Sequence, residues 1–403
     1  MRWVAQLLAF AAILLSWDEA PTLGRRFTHA REAVSAMLPS RRRVGRTYQG
    51  FIKALLSWGA RLPEAVMVHL RSVLLREAGV YAKREGFLAF AVDGTRIECP
   101  RTKSNERAFG LAGKDGSGPQ IWLTTLWHMG TGLPWAWKQG PARDAERHHL
   151  RDMLPLLPAA ALLVADAGFV GYELLQEILA GGRSFLIRVG GNVHLLKELG
   201  VVHRHGADTV YLWPRDLRGQ APLVLRLIRL QRGGKTVYLV TNLGAESLPP
   251  WQAGVLYEMR WGVEVFYRSL KQTLAHRVLL SHGSEQAKAE LGWAMVGLQL
   301  MGMMSVREMI ARDEDPLEWS VAGTQEMIQK TMKGEFKHRI TEGGWKKRLA
   351  AQTKDRYIRL HDKAPNEWPR RKESRPPRPP KITAATPAEV QRAQKLLAPP
   401  CAA

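Results

Sequence analysis

The chain has 403 residues, with 59 Lys and Arg against 37 Asp and Glu, and a formal net charge of +22. Its length allows two or three domains with a sizeable core, and the positive charge favours a polyanionic partner such as nucleic acid. The sequence contains two cysteines, Cys99 and Cys401, which excludes a disulfide framework and a cysteine-rich zinc site and indicates a reducing compartment.

The first 80 residues are predicted to form helices. The opening MRWVAQLLAFAAILLSW places one Arg before an apolar run, but the run is too short for a membrane span and no small-residue cleavage site follows it. We therefore expect a buried helix and no membrane role. Several arginines in this region are candidates for phosphate contacts, with an ordinary helical cap as the alternative: Arg25, Arg26, Arg41, Arg42, Arg43 and Arg46.

Two apolar stretches of strand length are each followed by an aspartate. GFLAFAVD ends at Asp93, and ALLVAD ends at Asp166. Nearly continuous apolar runs are typical of strands that are buried on both faces of a sheet. We expect each strand to stop at its aspartate, and the small residues that follow would let a substrate backbone come close. A turn is the alternative interpretation of an aspartate before glycine.

The elements around these two strands favour a mixed α/β sheet. Residues 119–141 are predicted to form two strands joined by a turn around Gly130 to Gly132, which would complete an antiparallel meander with the Asp93 strand. A helix at GYELLQEILAGG and a strand at SFLIRVG, which contains Arg188, follow Asp166. This strand, helix, strand order is the one that an α/β sheet requires.

The remaining segments differ in composition. Short β patterns fill residues 191–251 and predict an inserted β subdomain. Trp213 or Trp251 could stack on a displaced base, with simple packing as the alternative. The Met-rich segment from Ser284 to Ile310 is predicted to be a buried helix. The basic stretch WPRRKESRPPRPPK cannot form a packed core and is predicted to be largely disordered or polyproline-like.

The segment YEMRWGVEVFYRSLK, from Tyr257 to Lys271, is predicted to form one helix. At 100° per residue, Arg260, Glu264 and Lys271 project within roughly 60° of Tyr257. Apolar residues occupy the neighbouring arc, as in a helix that packs on a core with one side and faces a cleft with the next. A solvated face with an Arg260–Glu264 pair is the alternative.

The spacing Y-x2-R-x3-E-x6-K, with Trp261 directly after the arginine, resembles the signature of the DDE transposases of the insertion-sequence-four family. The resemblance extends over about residues 87–271 and implies an RNase H-like catalytic domain. In that arrangement the two strands that carry the aspartates are neighbours, and the signature glutamate is the third carboxylate.

The resemblance implies that Asp93, Asp166 and Glu264 are the catalytic residues and the ligands of two Mg²⁺ ions, which Mn²⁺ can replace. Two such ions, about 3.5 to 4 Å apart, stabilise the attacking and leaving oxygens of a phosphoryl transfer. Hard divalent ions prefer oxygen ligands, and without metal three converging carboxylates would repel one another. The carboxylates therefore suit this chemistry better than His or Cys.

The resemblance also implies a DNA-binding set around this centre. Tyr257, Arg260 and Lys271 are expected to hold phosphates at the transposon end, because a guanidinium fork, an ammonium and a phenol all bind phosphate oxygens. Trp261 belongs to the same set as part of the signature. Arg188 is a further candidate for a phosphate contact nearby.

These patterns predict an α/β protein with an RNase H-like mixed sheet flanked by helices, an inserted β subdomain, an N-terminal helical region and a basic disordered tail. The predicted segments are a helical DNA-binding region (1–80), the first part of the catalytic core (81–190), the β insertion (191–251), the second part of the core (252–312) and a basic Pro-rich C-terminal region (313–403).

The implied function is a DNA transposase that moves an insertion sequence by cut-and-paste transposition. It would nick the transposon ends, form hairpins and join the excised ends to target DNA. The implied partner is double-stranded DNA, on which the protein would assemble as a homodimer. The implied location is the bacterial cytoplasm, in association with the nucleoid. A metal-dependent nuclease that does not join DNA, and a DNA-binding protein without catalysis, are the alternatives.

Overall fold

The structure, a computed structural model, describes residues 3–38, 44–111, 118–200, 205–232, 235–334, 342–352, 354 and 378–397. In chain order the helices and strands are α1 (Ala5–Trp17), α2 (Leu23–Met37), α3 (Tyr48–Trp58), α4 (Arg61–Glu77), β1 (Ala89–Glu98), α5 (Lys103–Phe109), β2 (Gln120–His128), β3 (Leu133–Pro141), α6 (Glu146–Met153), β4 (Leu162–Ala165), α7 (Tyr172–Ala180), β5 (Ser184–Val189), β6 (His194–Lys197), β7 (Thr209–Leu212), β8 (Leu223–Arg232), β9 (Lys235–Thr241), α8 (Pro250–Met259), α9 (Gly262–Arg268), α10 (Ser284–Ile310), α11 (Val321–Met332), α12 (Glu342–Gln352), β10 (Lys381–Ala384) and α13 (Pro387–Leu397).

The chain divides into two compact units. The first consists of Met1–Lys83, Gly94–Ala145 and Gly262–Arg356, and the second of Arg84–Asp93, Glu146–Trp261 and Tyr357–Ala403. Strand β1 contributes residues to both units, because the division falls after Asp93. The domain boundaries predicted from composition remain predictions.

Helices form most of the first unit. The predicted N-terminal helical region is confirmed as α1 to α4. Helix α1 is apolar around its circumference, as expected for a core helix, and Leu8 and Ala11 are fully buried. It contacts the Met-rich helix α10, where the Trp17 indole N–H donates to the carbonyl of Gly297 at 3.0 Å. Among the helices that the structure describes, none is long and apolar enough to cross a membrane.

The arginines proposed as phosphate contacts in this region do not share one environment. Arg26 is buried in the first unit, and its Nε donates to the carbonyl of Ala20 at 2.7 Å. Arg26 therefore has a backbone acceptor inside its own unit, as the helical-cap alternative expects, and its phosphate contact stays a prediction. Arg25 and Arg46 are exposed on the surface, while the arginines at positions 41–43 lie outside the described residues.

The first unit also contains the predicted glycine-turn hairpin. Strands β2 and β3 pair antiparallel from Ile121–Pro141 to His128–Leu133, and the amide of Gly132 closes the turn by donating to the carbonyl of His128 at 2.9 Å. Gly132 has φ +74°, a backbone conformation that favours glycine. In the strand order, β2 neighbours β1, whose residues 94–98 belong to this unit.

The second unit is built on a mixed sheet with the strand order β10-β6-β7-β8-β9-β5-β4-β1. Strands β1, β4 and β5 pair in parallel, whereas β5, β9, β8, β7 and β6 pair antiparallel in that order. Residues 89–92 and 162–165 are buried, which explains their apolar runs. The predicted α/β fold with a mixed sheet is confirmed, and the two aspartate strands are neighbours. Strands β6 to β9 lie in the segment that was predicted to be a β insertion.

Two strands differ from the sequence prediction. Strand β4 ends at Ala165, directly before its aspartate, but β1 continues through Asp93 to Glu98, so the predicted strand end at Asp93 is wrong. Most of WPRRKESRPPRPPK lies outside the described residues. The last residue of this stretch, Lys381, begins β10, which pairs in parallel with β6. Helix α13 follows, and neither element was predicted from the sequence.

The signature segment is not one continuous helix. Helix α8 ends at Met259, the amide of Trp261 closes a turn by donating to the carbonyl of Glu258 at 3.1 Å, and α9 begins at Gly262. A Cβ on Gly262 would lie 2.2 Å from the indole ring of Trp127, so the break accommodates a backbone that packs directly on this ring. Residues Ser269–Thr273 then form a π-helical turn, a geometry that is frequent at functional sites.

Candidate active site

The centre of the candidate site is a row of charged side chains on three parallel strands of the second unit. The row consists of Asp93 on β1, Asp166 after β4 and Arg188 on β5, and the residues directly before these three are register partners. Neighbouring strands lie about 4.8 Å apart, and side chains in register point to the same face. The sheet therefore sets two carboxylates side by side, with a guanidinium next to the second one.

The Asp166 carboxylate is held by local and distant donors. Its residue precedes the short 3₁₀ turn Ala167–Phe169, and its Oδ1 accepts the Ala167 amide at 2.8 Å. Oδ1 also accepts Nη1 of Arg188 at 3.4 Å and the hydroxyl of Tyr257 at 3.3 Å. The side chain is 43% exposed, so the carboxylate is oriented by the protein and still accessible.

Helix α8 supplies the tyrosine of this cluster and ends directly before the arginine of the signature. Burial raises the pKa of Tyr257, and the adjacent Asp166 carboxylate raises it further, so the phenol remains a hydrogen-bond donor. The Cζ atom of Arg260 lies 5.7 Å from the centre of the Tyr257 ring, and Arg260 is 8% exposed. Trp261, the next residue, is 56% exposed.

The other signature residues belong to the first unit. Glu264 is half-buried in the first turn of α9, and Lys271 lies in the π-helical turn. The Nζ atom of Lys271 donates to the hydroxyl of Thr95 at 2.6 Å. Burial lowers the pKa of Lys271, although Glu98 acts in the opposite direction. The contact of Thr95 was not predicted from the sequence. The one available signal was its position two residues after Asp93.

The two tryptophans considered for base stacking differ in exposure. Trp213 is buried, donates from Nε1 to the carbonyl of Gln220 at 2.7 Å and has Arg218 over its ring, so it is a packing residue. Trp251, at the start of α8, is 63% exposed. Only Trp251 of this pair presents its ring to solvent.

The aspartate pair has the chemistry that a divalent cation requires. Carboxylate oxygens are hard ligands suited to Mg²⁺ and Mn²⁺, and Asp93 and Asp166 directly follow register partners of the neighbouring strands β1 and β4. Within the described part of the chain, no group of three or more His, Cys, Asp or Glu side chains is close enough to hold a metal ion. The fit to a metal therefore rests on the two aspartates.

Comparison with known proteins identifies the family. A sequence model of the family described as "Transposase DDE domain" matches residues 85–298, and the chain belongs to this family, whose members use divalent metal ions. The predicted resemblance to the insertion-sequence-four DDE transposases is confirmed.

Similarity to two individual proteins was also found. The chain is 25% identical over 237 residues to the transposase InsG for insertion sequence element IS4 of Escherichia coli (strain K12). The match includes 55% of this chain and 53% of that protein, so the chain spans about half the length of this curated relative. The chain also aligns with a cryo-EM structure of the piggyBac transposase synaptic complex with hairpin DNA. The alignment covers 90% of this chain and 80% of the piggyBac chain, with 12% identity and a TM-score of 0.41.

Proposed function

We propose that this protein is a DNA transposase that cuts the ends of an insertion sequence and joins them to target DNA. The observation that carries the proposal is the pair of carboxylates, Asp93 and Asp166, which directly follow register partners of adjacent parallel strands in a transposase DDE domain. Neighbouring strands of a sheet hold such carboxylate oxygens on rigid elements, and phosphoryl transfer requires ligands that are fixed in place.

Asp93 and Asp166 are the proposed ligands of Mg²⁺, and Glu264 is the proposed third ligand of a two-ion centre, in which Mn²⁺ can replace Mg²⁺. When bound, these ions stabilise negative charge on the attacking and leaving oxygens. The role of the surrounding residues is to orient the carboxylates. Asp166 is fixed by the Ala167 amide, Arg188 and Tyr257.

The cationic residues of the signature are proposed to bind the DNA. Lys271 contributes a point charge held by the Thr95 hydroxyl, and Arg260 and Arg188 contribute guanidinium groups that match phosphate geometry. Tyr257 and the exposed Trp261 complete the proposed DNA-binding set. With a net charge of +22, the chain suits double-stranded DNA as a partner.

Both ends of an element must be processed together, so we propose a homodimer assembled on the DNA, in the bacterial nucleoid. Hairpin formation at the excised end is proposed as the intermediate step. The five segments predicted from composition, including an N-terminal DNA-binding region over residues 1–80, are retained as a proposed division of labour.

A strand-transfer assay tests the proposal. Purified full-length protein is incubated with Mg²⁺, a supercoiled plasmid and duplexes from the DNA flanking the gene that end in a 3′-hydroxyl. We expect joined product from the wild type and none from Glu264→Gln, which keeps the size of the side chain but removes its charge. Retained cleavage in Glu264→Gln would refute the role of this glutamate.

The same assay separates the alternatives. Cleaved but never joined DNA would identify a nuclease, since joining requires the 3′-hydroxyl to attack a second DNA. DNA binding without any Mg²⁺-dependent cleavage would identify a DNA-binding protein without catalysis. Either result would overturn the proposed transposase activity.

A further inference from the structure

The contacts of Asp166 are distributed unequally between its two oxygens. The Ala167 amide, Arg188 and Tyr257 all donate to Oδ1. Within the residues that the structure describes, no hydrogen bond ends on Oδ2. The Asp166 side chain is 43% exposed. A ligand can therefore reach the carboxylate to which Oδ2 belongs.

The three donors come from three different places in the second unit. The Ala167 amide is adjacent in sequence, and Arg188 is brought by the parallel register of β4 and β5. The hydroxyl of Tyr257 comes from α8, 91 residues along the chain from Asp166. Three donors on one oxygen restrict rotation of the carboxylate about its Cβ–Cγ bond, so the direction of Oδ2 is set as well.

We propose that Tyr257 is a positioning residue for the metal centre: its hydroxyl holds Oδ1 of Asp166 so that Oδ2 is the oxygen presented to a divalent cation. This inference rests on the proposed function, because it assumes that Asp166 is a metal ligand. Hydrogen bonds to a ligating carboxylate orient it and strengthen metal binding. The role acts before any DNA is bound, which separates it from a phosphate contact.

Binding of Mn²⁺ to the full-length protein in the absence of DNA provides the test. Electron paramagnetic resonance of free Mn²⁺ gives the dissociation constant for the wild type and for Tyr257→Phe, which removes the donor and no charge. We expect the dissociation constant of Tyr257→Phe to rise about tenfold, at the lower end of the range for lost outer-shell partners. The rise in Tm that Mn²⁺ causes should shrink in parallel.

Tyr172→Phe is the matched control. Tyr172 is buried in the same unit, and its hydroxyl donates to the carbonyl of Ala221 and accepts from Gln176. The variant therefore loses two partly buried hydrogen bonds and leaves the contacts of Asp166 unchanged. We expect its Mn²⁺ affinity to equal that of the wild type, and the metal-free Tm of each variant reports any loss of stability separately.

The outcomes separate this inference from the proposed function. If Asp166→Asn loses Mn²⁺ binding while Tyr257→Phe binds as the wild type does, the metal site stands and the positioning role of Tyr257 is refuted. If Asp166→Asn also binds as the wild type does, the proposed metal site itself fails. Equal weakening in Tyr172→Phe and Tyr257→Phe would show a general packing effect and would likewise refute the inference.

Discussion

Two residues of the same signature, Tyr257 and Lys271, donate hydrogen bonds to different kinds of acceptor. In the second unit, Tyr257 donates to the charged carboxylate of Asp166. In the first unit, Lys271 donates to the neutral hydroxyl of Thr95. A donor on a carboxylate acts on the direction and charge of that carboxylate, whereas an ammonium on a hydroxyl keeps its net charge for another partner.

Because the acceptors differ, substitutions in the two regions should have different effects. Changes around Asp166 should act on metal binding, with or without DNA, because the carboxylate is the proposed ligand. Changes around Lys271 should act on DNA affinity and its salt dependence, because a phosphate contact releases counterions. Each region can therefore be perturbed with the other as its reference.

The largest effect is expected when either carboxylate of the row loses its charge. Asp166→Asn and Asp93→Asn should each lower Mg²⁺-dependent DNA cleavage by more than about 100-fold, since removal of an outer-shell partner alone costs 10–100-fold in metal affinity or activity. The measurement is the rate of nicking of an end-containing duplex at saturating Mg²⁺.

Asp208→Asn is the control for this pair, because Asp208 is an exposed acid of the same unit, 3.7 Å from Arg229. It should cleave at the wild-type rate. Wild-type cleavage by Asp93→Asn alongside an inactive Asp166→Asn would show that the two neighbouring aspartates do not act together.

The placement of the two aspartates beside buried strands was predictable from sequence, because a buried parallel strand has a recognisable composition. Residues before Asp93 and Asp166 are apolar without alternation, as strands covered on both faces must be. The end of β1 was not predictable in the same way. Thr95 and Arg96 are polar, yet β1 continues through them to Glu98, since pairing with a neighbouring strand, rather than apolar content, decides where a strand ends.

Non-local contacts explain the other differences from the sequence prediction. Helical periodicity over residues 257–271 is real but does not show that the Trp127 ring packs on the backbone of Gly262. The Lys271–Thr95 contact joins residues 176 positions apart. Strand β10 has four residues, too few for its own composition to predict a strand. Its pairing with β6 stabilises it in the extended conformation.

The junction between the two halves of the signature can be perturbed through Gly262. Gly262→Ala would place a Cβ 2.2 Å from the buried Trp127 ring, and overpacking of this kind costs typically about 1–3 kcal/mol. We expect the free energy of unfolding to fall by that amount in a urea titration. Gly24→Ala on α2 is the control, since a Cβ added there would meet no atom within 4 Å. An unchanged stability in Gly262→Ala would contradict the close packing.

A smaller effect, confined to DNA binding, is expected from Lys271→Met. The variant keeps the length of the side chain and removes one cation, so the slope of log affinity against log salt should decrease by about 0.9 in magnitude. Mn²⁺ affinity without DNA should not change. Lys288→Met, which removes an exposed lysine 2.9 Å from Glu285, should leave the slope closer to that of the wild type. A weaker Mn²⁺ affinity in Lys271→Met would erase the distinction between the two regions.

The smallest effect should come from Thr95, which acts only through Lys271. Thr95→Val removes the hydroxyl that accepts a hydrogen bond from Nζ at 2.6 Å. Both residues are half-buried, so solvent screening keeps the net contribution near the roughly 0.5–1.5 kcal/mol of an ordinary hydrogen bond. DNA affinity should therefore fall about threefold to tenfold, and Thr95→Ser should restore most of it. In the Lys271→Met background, Thr95→Val should cause no further loss, because the two changes remove one interaction. Additive losses in the double variant would mean that Thr95 contacts the DNA by itself and does not serve to place the ammonium.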